Sequence, residues 1–119
     1  MANVATIDYV TVATTGNATS FGSISSGYRQ RHTSCSDATR GILWAGQAGA
    51  GYQTIDYITI QTTGGSTSFG NTLTVGYDSH GALSNDTYGL ITGRSNNGII
   101  EYITIASTGN ATDFGDLSV

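Results

Sequence analysis

The stretch His32-Thr33-Ser34-Cys35-Ser36-Asp37 gathers an imidazole, a thiol and a carboxylate within six residues. A base, a nucleophile and an orienting acid are the ingredients of covalent catalysis. An internal comparison argues against that use. The residue 48 places after Cys35 is Leu83, so the position reads as an apolar packing site filled here by a small buried thiol. His32 and His80 recur at the same spacing and read as hydrogen-bonding groups between repeats. Two histidines so far apart lack the local spacing of a zinc site. No catalytic residue, metal or cofactor is expected.

A second recurrent group is an acid beside a tyrosine: Asp8-Tyr9, Asp56-Tyr57 and Glu101-Tyr102. A shared calcium site needs about six to eight oxygens, and one acid per repeat falls short. These carboxylates are expected to accept backbone or hydroxyl hydrogen bonds at strand ends. Asp113 and Asp116 have Ser68 and Asn71 as counterparts, which does not support a calcium loop. Among the aromatics, Trp44 lies inside an apolar strand and belongs in a core. Tyr28, Tyr52, Tyr77 and Tyr88 are candidates for stacking on sugar rings, Tyr52 and Tyr77 the better ones because they lie beside loop glycines.

What positions these groups is a repeat. Ile7-Asp8-Tyr9-Val10-Thr11-Val12 returns as Ile55-Asp56-Tyr57-Ile58-Thr59-Ile60 and as Ile100-Glu101-Tyr102-Ile103-Thr104-Ile105, at offsets of 48 and 45 residues. A glycine turn and an aromatic-Gly pair follow each copy: Gly16 then Phe21-Gly22, Gly64 then Phe69-Gly70, Gly109 then Phe114-Gly115. Between copies, His32, Thr39 and Gly41 are matched by His80, Thr87 and Gly89, each pair leading into an aliphatic strand. The chain therefore holds about two and a half repeats: a half-repeat at 7–27, one unit at 28–76 and another at 77–119.

Each half supplies two strands, so a unit has four, the size of a propeller blade. In the first strand, expected to run to Val12, Ile7, Tyr9 and Thr11 alternate with Asp8, Val10 and Val12, placing apolar groups on both faces, as suits a small sheet between neighbours. Thr15-Gly16-Asn17, Gly64-Gly65-Ser66 and Thr108-Gly109-Asn110 are expected to form tight hairpins. Similar turns are expected at Gln47-Ala48-Gly49-Ala50-Gly51 and Ser95-Asn96-Asn97-Gly98. No stretch shows capped helical periodicity, so the expected class is all-β.

The chain of 119 residues has the size of one domain. Its four basic residues are all arginine, against eight acids, for a net charge of −4, which disfavours nucleic-acid binding. No segment approaches the about 20 apolar residues of a membrane helix, nor does the start resemble a secretion leader. Release by lysis, within a particle or through a signal outside this sequence is the expected route out of a cell. With a single cysteine, Cys35, no intrachain disulfide can form.

A strand ending in Gly, a Val/Ile-acid-Tyr strand, a turn and an aromatic-ended strand resemble the kelch propeller blade. The phrases Ile-Asp-Tyr-Ile-Thr-Ile and Thr-Gly-Asn-Ala-Thr-Asp-Phe-Gly-Asp-Leu, best seen over residues 101–117, resemble repeats of tail-fibre and other virion structural proteins of marine bacteriophages. That resemblance implies a non-enzymatic structural role in a virion or extracellular assembly, with contact to a host surface, and transfers no catalytic residue. Two and a half blades cannot close a ring of about four to eight. Completion by self-association, by other virion proteins or by the remainder of a longer protein is therefore expected. The alternatives are a carbohydrate-binding, lectin-like propeller module and, for the fold, a β-sandwich.

Overall fold

β-Branched and aromatic residues alternate in short runs, a pattern that fits the pleated surface of a sheet. The computed structural model describes residues 4–46, 52–75, 80–94 and 97–118, and within them the chain is all-β. Thr6–Tyr9 (β1) and Thr19–Ser23 (β2) form an N-terminal hairpin. Thr33–Ser36 (β3), Arg40–Gly46 (β4), Tyr52–Thr59 (β5) and Thr67–Asn71 (β6) form a middle sheet in the order β3-β4-β5-β6. Gly81–Ser84 (β7), Tyr88–Arg94 (β8), Asn97–Thr104 (β9) and Thr112–Asp116 (β10) form a last sheet in the order β7-β8-β9-β10. All pairings are antiparallel between consecutive strands.

The main core lies between the two four-stranded sheets. Ile42, Trp44, Ile55 and Phe69 of the middle sheet join Ile91, Ile103, Ile105 and Ala111 of the last sheet and its loop in one buried cluster. Burying each large aliphatic or aromatic group contributes about 1.5–3 kcal/mol relative to leaving it in water. At the outer end of β4 the register shifts between Trp44 and Gly46. Gly46 has φ +118°, and a Cβ there would stand 2.9 Å from the Gln30 carbonyl oxygen, so only glycine fits this bend.

The recurrent phrase behaves alike in all three units. Asp8 pairs with Ser20 and Ile7 with Gly22; Asp56 with Ser68 and Ile55 with Gly70; Glu101 with Asp113 and Ile100 with Gly115. In each case the intervening residue, Phe21, Phe69 or Phe114, is the extra residue of a β-bulge, a device that re-aims a side chain. Each phenylalanine meets the tyrosine of its own unit edge-on: Tyr9–Phe21 at 6.2 Å, Tyr57–Phe69 at 6.0 Å and Tyr102–Phe114 at 6.0 Å.

Two expectations need correction. The strand expected to continue to Val12 ends at Tyr9, and the hairpins are not tight. Loops 10–18, 60–66 and 105–111 separate the paired strands. Each begins with the same small turn: Thr14 N–H to Thr11 O, Thr62 N–H to Thr59 O, and Ser107 N–H to Thr104 O, all 3.1 Å. The extra length has a physical use in the second and third loops, whose backbone reaches the preceding unit. Of the other expected turns, 47–51 lies outside the described residues, as do Ser95 and Asn96, whereas Asn97 and Gly98 open β9.

Candidate functional site

The repeated residues converge on the joints between sheets. At the first joint, Gly64 N–H donates to Phe21 O at 2.7 Å and Ser66 N–H to Ser23 O at 2.9 Å. At the second, Gly109 N–H donates to Phe69 O and Ala111 N–H to Asn71 O, both 2.8 Å. Asn110 Oδ1 also accepts from Asn71 N–H at 3.0 Å. A loop of one unit thus adds to the outer edge of the unit before it, which is strand addition in miniature. The approach is close enough that a Cβ on Gly22 or Gly70 would run into the Gly64 or Gly109 carbonyl. Hence the glycine of each Phe-Gly pair.

Inside the joints the recurrent acids act as latches. Asp56 accepts from the Ser26 hydroxyl at 2.7 Å and from Arg29, an ion pair of 2.7 Å, both partners lying in the segment that precedes the middle sheet. Arg29 also donates to the carbonyls of Leu43, Ala45 and Thr54, tying β4 to β5. Glu101 accepts from Leu73 N–H at 2.9 Å and from the Thr74 hydroxyl at 3.2 Å. Ser26 and Thr74 are repeat counterparts, so the latch itself recurs. Asp56 and Glu101 are buried, whereas Asp8 is exposed. The expected backbone and hydroxyl bonds are present at Asp56 and Glu101, but both acids sit in mid-strand, in β5 and β9, and not at the strand ends expected. Arg29 was not anticipated; its only signal is that cations are scarce in this chain.

The sheets also touch through β3 and β7, where the Ser84 hydroxyl donates to Ser36 O at 2.8 Å. Arg40 reaches across to Ile105 O at 2.9 Å, with its guanidinium 4.5 Å above the Tyr57 ring.

The two ends of the molecule differ from these joints. Phe21 and Phe69 are 9% and 4% exposed, but Phe114 is 62% exposed. Ile105 is fully buried and its first-unit counterpart Val12 is 96% exposed. Ser66 and Ala111 are buried in the joints, while Ala18 is exposed. The outward face of the last sheet carries a cleft of 470 Å³ lined by Tyr88, Leu90, Tyr102 and Phe114, with Asn85 and Asp113.

The His-Cys-Asp stretch does not assemble into a catalytic group. Asp37 Oδ1 accepts from Thr39 N–H at 2.7 Å and Arg40 N–H at 2.6 Å, closing the β3–β4 turn. These backbone bonds hold its carboxyl below the usual carboxylate range. Asn85 closes the β7–β8 turn in the same way, through Thr87 N–H and Tyr88 N–H. Burial pushes the Cys35 thiol up, and Trp44 Nε1–H donates to its sulfur at 3.1 Å, an inert setting for a thiol. Its counterpart Leu83 is 57% exposed rather than packed, because no further sheet covers it. His32 is exposed, and none of the hydrogen bonds described joins it to another unit; His80 is half-buried. Tyr28 is exposed, Tyr52 opens β5, and Tyr77 lies outside the described residues. The aromatic cleft takes in Tyr88 of the sequence candidates, together with Tyr102 and Phe114, and Tyr28 does not line it. Among the described residues no three His, Cys, Asp or Glu side chains are grouped to hold a metal ion.

Neither a family model nor a curated protein sequence matches the chain.

Proposed function

We propose that the chain is a non-enzymatic structural module of kelch-like blades that works by assembly, as a fibre, decoration or tail-type component of a virion or another extracellular particle. The observation that carries this reading is the repeated joint. Asp56, Glu101 and the glycines of the first two Phe-Gly pairs hold one unit against the next, and counterparts of apolar groups buried in the joints lie open at the ends, Val12 at one and Phe114 at the other. The phage-type phrases of residues 101–117 point to the virion setting. Electron microscopy and light scattering of the purified chain test it. Rings, particles or fibres formed without added ligand are the expected result; a cooperatively melting monomer at all concentrations would sink it.

The aromatic cleft favours one second reading. Tyr88 and Tyr102 meet edge-on at 5.8 Å and Tyr102 meets Phe114, a platform for a sugar ring, with Asn85 and Asp113 to bond hydroxyls. A glycan-array signal abolished by Tyr102→Ala would favour a lectin-like module contacting a host surface. Loss on Tyr28→Ala instead would restore the candidate named from sequence.

A further inference from the structure

The loop that docks on Phe69-Gly70-Asn71 has the sequence Thr108-Gly109-Asn110-Ala111-Thr112, and the same five residue types occur in order as Thr15-Gly16-Asn17-Ala18-Thr19. In the first copy all five residues are exposed. At the far end, Phe114-Gly115-Asp116 repeats the docked edge with Asp in place of Asn, and nothing stands within 4 Å of a Cβ built on Gly115. Among the described residues, no bond of the joint type is taken up by the N–H groups of Gly16 and Ala18 or by the carbonyls of Phe114 and Asp116. One end therefore presents the donor half of the joint and the other end the acceptor half.

Resting on the assembly reading above, we propose that a second copy of this chain seats its Thr15–Thr19 loop on the Phe114–Asp116 edge, reproducing between molecules the joint that the chain already makes twice within itself. Gly16 N–H donates to Phe114 O, as Gly109 N–H does to Phe69 O. Ala18 N–H donates to Asp116 O, and Asn17 Oδ1 accepts from Asp116 N–H, as Asn110 does from Asn71. Val12, at the position of Ile105, covers the Tyr102–Phe114 pair and fills the aromatic cleft. Such a contact is head-to-tail: the two terminal molecules of an oligomer each keep one unused surface until a ring closes, or else a filament grows. A sugar in the cleft and a second copy exclude one another.

Sedimentation of the full chain with two variants, Val12→Asp and Phe114→Asp, tests this. Both side chains are exposed, so both variants should keep the wild-type circular dichroism and melt. Each alone is expected to lose assembly, with at least a tenfold weaker association. Their equimolar mixture should recover a 1:1 dimer that grows no further, because it unites one intact loop with one intact edge. Asn17→Ala, which removes only the side-chain acceptor, should weaken wild-type assembly several-fold. Wild-type oligomers that ignore all three substitutions would overturn this joint and leave the structural reading standing. Variants that lose assembly but fail to pair in the mixture would overturn the head-to-tail arrangement, and a monomeric wild type would overturn both proposals.

Discussion

The middle and last sheets present the same kind of face to whatever follows them, with opposite fates. On the middle sheet, Cys35, Arg40, Ile42, Tyr57 and Phe69 lie against the last sheet; on the last sheet their counterparts Leu83, Tyr88, Leu90, Tyr102 and Phe114 line an open surface. Burial here is decided by the neighbour and not by the residue. An exposed phenylalanine is ordinarily unremarkable. One whose two repeat counterparts are buried is informative, because the same sequence phrase is covered elsewhere in the same molecule.

Paired substitutions at closed and open positions turn that difference into numbers. The largest effect is expected at the acid latch. Asp56→Ala leaves the Arg29 guanidinium buried without its counter-ion and should cost about 3–5 kcal/mol in urea unfolding, whereas Asp8→Ala at the exposed end should stay within about 0.5 kcal/mol. Equal costs would mean that the two acids sit in equivalent surroundings in solution, as they would if Asp8 were also covered. Next, Phe69→Leu should cost about 1–3 kcal/mol and Phe114→Leu under about 0.5 kcal/mol at concentrations too low for association. Raising the concentration should close that gap if Phe114 becomes buried between molecules.

The smallest effect concerns the turn acid. Backbone hydrogen bonds depress the Asp37 pKa, so its stabilising contribution is full above the unfolded value of about 4 and fades as pH falls through the folded value. Asp37→Asn copies the arrangement at Asn85. It should change stability by a few tenths of a kcal/mol at pH 7, the group being close to solvent, and remove part of the acid sensitivity below about pH 4. Melts of both proteins between pH 2 and 7 check the sign; a wild type relatively more stable in acid would contradict it.

Much of the fold was legible because the repeat exposes its own grammar. Three copies of Ile-acid-Tyr and aromatic-Gly place six of the ten strands among the described residues. The hydrogen-bonded role of Asp56 and Glu101 was legible from their recurrence, but their place in mid-strand was not. Less legible was the length of the loops. Gly16, Gly64 and Gly109 look like hairpin turns, since glycine signals a bend without saying what the bend reaches. Their use in the joints depends on backbone groups of another unit, which carry no sequence signature. The same holds for Gly22 and Gly70, where glycine admits a neighbouring carbonyl and leaves φ unremarkable. Leu83 was misjudged because its counterpart Cys35 is covered by the last sheet and nothing covers the last sheet itself. Arg29 was passed over because its partner lies 27 residues away in a different element.

The joints are written largely in main chain. Gly64-Gly65-Ser66 and Gly109-Asn110-Ala111 make the same pair of bonds although two of their three residue types differ. Mutation can therefore rewrite the outer rim of the molecule at little structural risk, provided the few glycines at the closest approaches survive. The side chains shown to solvent are then free to drift in sequence while the units go on fitting together.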